Sequence, residues 1–184
     1  MNAWVPTFIN RTYGWEVPRA GFFYGIVSCC AAICGALSGG WLADKWVKNG
    51  ILEGRLRVSV IGIFLGMLGF LATIMPTAEI SILLLAIPVF GLAMPFGAAT
   101  AAIQEIMPNQ VRATASSILL FIINLVGMGL GPLLVAQFTD VIFKDESMIR
   151  YSLMMLFLAG GSIGLILSIL ALKPYRKVLE ANKI

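Results

Sequence analysis

The chain is a succession of long apolar runs separated by short polar clusters. No charged residue falls between Arg19 and Asp44, Arg57 and Glu79, Glu79 and Glu105, Arg112 and Asp140, or Arg150 and Lys173. These runs are 24, 21, 25, 27 and 22 residues long. At about 1.5 Å of rise per residue, roughly 20 apolar residues carry a helix across the hydrocarbon layer of a bilayer. Lipid offers backbone N–H and C=O groups no partner, so spanning segments are helices or closed barrels. A barrel would alternate apolar and polar positions over segments of about ten residues, and these runs do not alternate. The pattern predicts an all-α membrane protein with transmembrane helices over 20–43, 58–78, 80–104, 113–139 and 151–172, packed as one bundle. Residues 1–13 are apolar at first but too short to span, and read as the outer end of a truncated helix. Residues 173–184 read as a cytoplasmic tail.

Composition narrows the class. Of 184 residues, 59% are apolar and 12% charged, and the mean hydropathy is +0.93. Soluble domains carry about a quarter charged residues, so an ordinary soluble globule is excluded, as is a disordered tail. The net charge of +4 comes from scattered basic residues, not the clusters that bind nucleic acid. Counted by alternate loops, one side holds Lys45, Lys48, Arg55, Arg57, Arg112, Lys173, Arg176, Lys177 and Lys183, and the other Arg11, Arg19, Lys144 and Arg150. Nine against four makes the first side cytoplasmic, with the C-terminus inside. The short loops favour a bacterial inner (plasma) membrane.

The chemistry-bearing residues are few. Histidine is absent, and the three cysteines, Cys29, Cys30 and Cys34, have no carboxylate beside them. Neither a metal site nor a cofactor is expected. An intramembrane enzyme would need a nucleophile with a base, paired carboxylates or a metal at mid-depth, and the spans provide none.

Small residues recur along the first span as Gly21-x3-Gly25-x2-Ser28-x3-Ala32-x2-Gly35-x3-Gly39. Such a stripe lets a second helix backbone approach closely. Gly35, Gly39, Gly127 and Gly131 are therefore expected at helix contacts. The third span holds Pro88, Gly91, Pro95 and Gly97, where kinks are expected. Proline is common in membrane helices for packing alone, and interrupted helices also line transporter pathways; the residues leave both readings open. Thr100 and Gln104 continue that helix's polar side. The fourth span carries Ser117 and, near its middle, Asn124, whose amide needs a protein partner or a water-filled cavity. The second and fifth spans carry only small hydroxyls and read as lipid-facing. At the cytoplasmic edge, Asp44 ends the first span, and Glu105 and Arg112 flank the loop between the third and fourth. Asp44 is expected against the start of the fourth helix, paired with Arg112 as a gate latch; a solvated loop is the plainer alternative.

Several of these residues together resemble a known family. Gly39-Gly40-Trp41-Leu42-Ala43-Asp44-Lys45 is similar to the Gly-x3-Asp-Arg/Lys loop motif of major facilitator superfamily (MFS) transporters, at its copy in the C-terminal half. Trp4-x-Pro6-x-Phe8-x2-Arg11 resembles the outer end of the family's seventh helix. Gln104-x3-Pro108-x3-Arg112-Ala-x-Ala115, Asn124-Leu-x-Gly127-x-Gly129-x-Gly131-Pro132 and Asp140 are similar to the spinster-like branch. The family loop usually continues with a close Gly-Arg-Arg/Lys, whereas here Arg55 follows Asp44 only after a longer stretch.

The resemblance implies helices eight to twelve of a twelve-helix secondary active transporter, a fragment whose N-terminal half is missing. It implies alternating access to a small organic or lipid-like solute, with the first, third and fourth spans lining the path and the other two supporting them. Asn124, Thr100, Gln104, Phe96, Pro95 and Ser117 would then form the path, Asp44, Arg112 and Glu105 the cytoplasmic gate. Phe90, Met94, Phe121 and Met128 would add apolar wall. The competing reading is a self-contained five-helix scaffold or accessory subunit.

Overall fold

The computed structural model describes residues 4–139 and 149–181, except the side chain of Met128; Asp140, Lys144 and Lys183 lie outside these. A short helix α1 (Val5–Tyr13) precedes the long helix α2 (Val17–Lys48). Gly14, at φ 74°, closes α1, its N–H donating to the Asn10 carbonyl at 2.9 Å. The Asn10 side chain donates to the Trp15 carbonyl at 2.7 Å, and Pro18 opens α2 where its missing N–H costs nothing. At the far end of α2, Gly50, at φ 85°, reverses the chain. The Gly50 and Ile51 N–H groups there meet the carbonyls of Val47 and Trp46, both at 3.0 Å.

The second span is α3 (Gly54–Met67) and, after a turn at Leu68–Gly69, α4 (Phe70–Thr73). The third is α5 (Ala78–Leu84) and α6 (Ala86–Ile106). Its interruption falls at Leu85, just before Pro88, which cannot donate to the Leu84 carbonyl. The fourth consists of α7 (Arg112–Asn124), a π-helical stretch over Leu125–Leu130, and α8 (Gly131–Gln137). The fifth is α9 (Ile149–Ala181). Val17–Lys48, Gly54–Thr73, Ala78–Ile106, Arg112–Gln137 and Ile149–Ala181 are each long and apolar enough to cross a membrane. No strand occurs among the described residues. The protein is an all-α integral membrane protein.

Helix α6 is the hub, packed on α2 along one side and α3 along the other, while α3 also meets α9. The contacts are made through glycine. A Cβ on Gly35 would strike the Phe90 carbonyl oxygen, and one on Gly39 that of Met94. On the other flank, a Cβ on Gly62 would strike the Gly91 carbonyl and lie 2.9 Å from Pro95 Cδ. Backbones this close gain dispersion contacts that no larger side chain would permit. Gly69 leaves room for the Phe157 ring of α9. The second span, expected to face lipid, is instead the most enclosed of the five: Val58, Ser59, Gly62, Gly66, Ala72 and Thr73 are buried. Its glycines, not its hydroxyls, decide this.

At the end opposite Lys48, Arg55 and Arg57, α1 docks into the bundle. Val5, Phe8 and Ile9 are buried with Tyr24, Leu85, Ile149 and Leu153. Trp4 Nε1 donates to the Pro132 carbonyl at 3.2 Å and Tyr13 Oη to that of Met75 at 2.7 Å. Val5, Tyr24, Pro88 and Phe157 line an apolar cavity of about 230 Å³.

Candidate solute path and basic-end network

The end bearing Lys48, Arg55 and Arg57 is organised around Glu105. Glu105 Oε2 lies 3.3 Å from Arg55 Nη1 at the start of α3, and accepts from Tyr175 Oη of α9 at 2.9 Å. Arg55 Nη1 also donates to the Ala101 carbonyl at 3.2 Å. Beneath this polar knot, Ala102, Tyr175 and Leu179 are buried against Leu52, Leu56 and Ile106. Nearby, Glu53 in the α2–α3 loop pairs with Arg57 at 2.6 Å. A hydrogen bond from its own backbone N–H, helped by Arg57 and the charge of Arg176, holds the Glu53 carboxyl below its ordinary range against the opposing effect of burial.

The expected latch is not made in this conformation. Arg112 Nε donates to the Met107 carbonyl at 3.4 Å, which closes the α6–α7 turn locally. Asp44 is exposed and forms no ion pair with a described residue. Lys45 beside it lies 4.7 Å over the Trp41 ring. Of the three gate candidates, only Glu105 joins a network. Its partners, Arg55 and Tyr175, escaped the sequence reading because they lie 50 and 70 positions away; an acid and a base that far apart carry no pairing signal.

The path candidates fall on two helix faces. On α6, Phe96, Gly97 and Gln104 are exposed and Thr100 partly so, while Met94, Ala98 and Ala102 turn inward. Pro95 lies between these faces, against Gly62. On α7, Ser117, Phe121 and Asn124 recur at helical spacing and are all exposed. Asn124 stands at the junction with the π-helical stretch. Gly127 and Gly131, expected at a helix contact, do not make one. No atom of another helix lies within 4 Å of a Cβ placed on either. The wider π turn carries them instead onto a groove of about 290 Å³ opposite Gly160, Gly161 and Gly164 of α9. Of the wall residues, Met94 is buried and Phe90 partly so, both in the α2–α6 contact. Phe121 is 65% exposed.

The family profile described as Major Facilitator Superfamily matches residues 1–132. The chain belongs to the Major Facilitator Superfamily. Among curated relatives, it is 27% identical over 182 residues to "Uncharacterized transporter YybO" of Bacillus subtilis, covering 95% of this chain. It is 28% identical over 174 residues, 94% of this chain, to an "MFS-type efflux pump" of Mycolicibacterium smegmatis. The chain spans 40% of the length of each of these relatives. No solved structure matches it.

Within this superfamily chain, α2 and α3 clasp α6 through glycine, whereas the fourth span is the least enclosed of the five. The polar groups Thr100, Gln104, Ser117 and Asn124 lie on the outward faces of α6 and α7.

Proposed function

We propose that the chain is the C-terminal helical bundle of a secondary active transporter that moves a small organic or lipid-like solute by alternating access. One observation carries this. The polar residues of the third and fourth spans sit on exposed faces of helices that otherwise expose leucine, isoleucine and phenylalanine. Asn124 in particular has no partner beyond its own helix among the described residues. In lipid such an amide is costly; facing a wet pathway shared with a second bundle, it is solvated. The names of the relatives, one a transporter and one an efflux pump, support the same reading, as does the resemblance to the spinster-like branch. Thr100, Gln104, Phe96, Pro95, Ser117 and Asn124 form this half's share of the path. Asp44, Arg112 and Glu105 stand at its gate, on the side that the excess of Lys and Arg favours as cytoplasmic, in a bacterial inner membrane.

The test is transport by the native full-length gene product in proteoliposomes, under an imposed proton or solute gradient, against organic cations, organic anions and lysolipids. Gradient-dependent movement of one class is the expected result. Failure to move any of them, with the protein folded, would remove the proposal, and a tightly bound separate six- or seven-helix chain would point to an accessory subunit.

A further inference from the structure

At the end of the bundle opposite the basic cluster, and apart from the solute path, a groove runs between α2 and α5. We infer that it holds the headgroup of a zwitterionic phospholipid, phosphatidylethanolamine in the first instance. Trp15, Arg19, Phe23 and Val27 form one wall and Glu79, Ile82 and Leu83 the other, around about 240 Å³. A cation and an anion thus share the groove without meeting. Among the described residues, neither the Arg19 nor the Glu79 side chain forms an ion pair or a hydrogen bond. The Arg19 guanidinium instead lies over the Trp15 ring, 4.4 Å from its centroid. Trp15 is itself held in place: its carbonyl accepts from Asn10 Nδ2 at 2.7 Å, and its ring meets that of Phe23 edge-on at 5.8 Å. Contact with a ring uses none of the N–H donors of a guanidinium, so Arg19 keeps a fork suited to two phosphate oxygens. Glu79 keeps both carboxylate oxygens as acceptors.

Below these charges the walls are apolar. Phe23 and Val27 follow Arg19 by one and two turns on the same helix face, and Ile82 and Leu83 follow Glu79 by one turn. Arg19 and Glu79 each bound an uncharged run, which sets them at headgroup level, and Trp15 is an amphipathic ring of the kind favoured there. The groove therefore leads from a doubly charged mouth into the hydrocarbon layer. A ligand of one charge meets its own sign on one wall: an anionic headgroup faces Glu79, a cationic one Arg19. A phosphodiester joined through two carbons to an ammonium matches both, and an ammonium that carries N–H groups also donates to the carboxylate. The acyl chain of the same molecule would cover Phe23 and Leu83, which are 45% and 64% exposed. A soluble zwitterion would leave that apolar surface bare.

The test uses the full-length gene product, stripped of lipid in a neutral detergent. It is titrated with phosphatidylethanolamine, phosphatidylcholine and phosphatidylglycerol of identical dioleoyl chains, and Kd is read by native mass spectrometry. Phosphatidylethanolamine is expected to bind tightest, about fivefold or more ahead of each of the others, since a charged contact at an exposed site contributes at the low end of its range. Glu79→Ala should erase the lead over phosphatidylcholine and strengthen phosphatidylglycerol; Arg19→Ala should weaken all three. Glycerophosphoethanolamine, the headgroup without chains, should compete only at far higher concentration. No lead for phosphatidylethanolamine in the wild type overturns the inference without recourse to any variant. A lead that survives in both folded variants puts the lipid elsewhere and overturns it too. Competition by glycerophosphoethanolamine at concentrations comparable to the lipid would assign the groove to a soluble zwitterion instead. None of these results bears on transport, so the inference and the transporter reading fail separately.

Discussion

The Tyr175 hydroxyl donates to Glu105 across 70 positions of sequence, at 2.9 Å. Because Glu105 also meets Arg55, one carboxylate joins the ends of α3, α6 and α9. Tyr175→Phe keeps the ring packed on Ala102 and Leu179 and removes only the hydroxyl, so a loss of about 1 kcal/mol is expected in thermal or denaturant unfolding in detergent. Glu105→Ala should cost more, because it removes the acceptor of Tyr175 and the ion pair of Arg55, which keeps only the Ala101 carbonyl. Their partial exposure holds the ion-pair share near the modest values of surface pairs. Equal stability of Tyr175→Phe and wild type would show that the bond contributes nothing.

The glycine contacts predict a sharp positional contrast. Gly39→Ala places a methyl against the Met94 backbone and should cost on the order of 1–3 kcal/mol, enough to depress folded yield. Gly40→Ala, one residue on, meets nothing within 4 Å and should be neutral or slightly stabilising by helix propensity. Fluorescence-detected size exclusion of the two variants reads the difference directly, and equal yields would contradict the packing.

For the proposed gate, Asp44→Asn is expected to favour the state open at the basic end. Cys29, Cys30 and Cys34 are exposed on the same helix and serve as native reporters, Cys34 lying about 15 Å along α2 from Asp44. Labelling by a membrane-impermeant maleimide from the basic side should rise in the variant. Unchanged labelling with intact expression would remove Asp44 from the gate.

Glu53 sets a pH dependence whose sign is fixed. Its carboxyl titrates below the ordinary 4.5, so the folded state binds its proton less readily than the unfolded chain does. The stabilisation it supplies is complete above the unfolded value and is lost as pH falls through the lower, folded one. The unfolding midpoint of Glu53→Gln should therefore lack part of the wild-type decline below about pH 4.5. A decline of identical size in both would rule the contribution out.

Much of this architecture is written in the apolar runs. Their lengths mark the five long helices, and the spacing of Gly35 and Gly39 marks a contact that the structure makes against α6. Other features are illegible for physical reasons. Ranking the spans by their hydroxyls misjudged the second, because in a membrane glycine permits closer approach than serine does. The glycines after Asn124 look like another contact stripe, yet they widen the helix into a π turn. Apolar α1 resembles a loose stub until Phe8 and Ile9 are seen fully buried. The Glu105 knot depends on three helix ends converging, which no local pattern encodes.

The clasp of α2 and α3 about α6 separates two burdens that a protein often loads on the same residues. Substitution is heavily constrained along Gly35, Gly39, Gly62 and Gly91, where backbone meets backbone. Packing constrains Ser117, Phe121 and Asn124 less, since all three are exposed in this bundle. If the proposed path is right, selection can therefore alter the exposed helix face while the seam keeps the protein foldable.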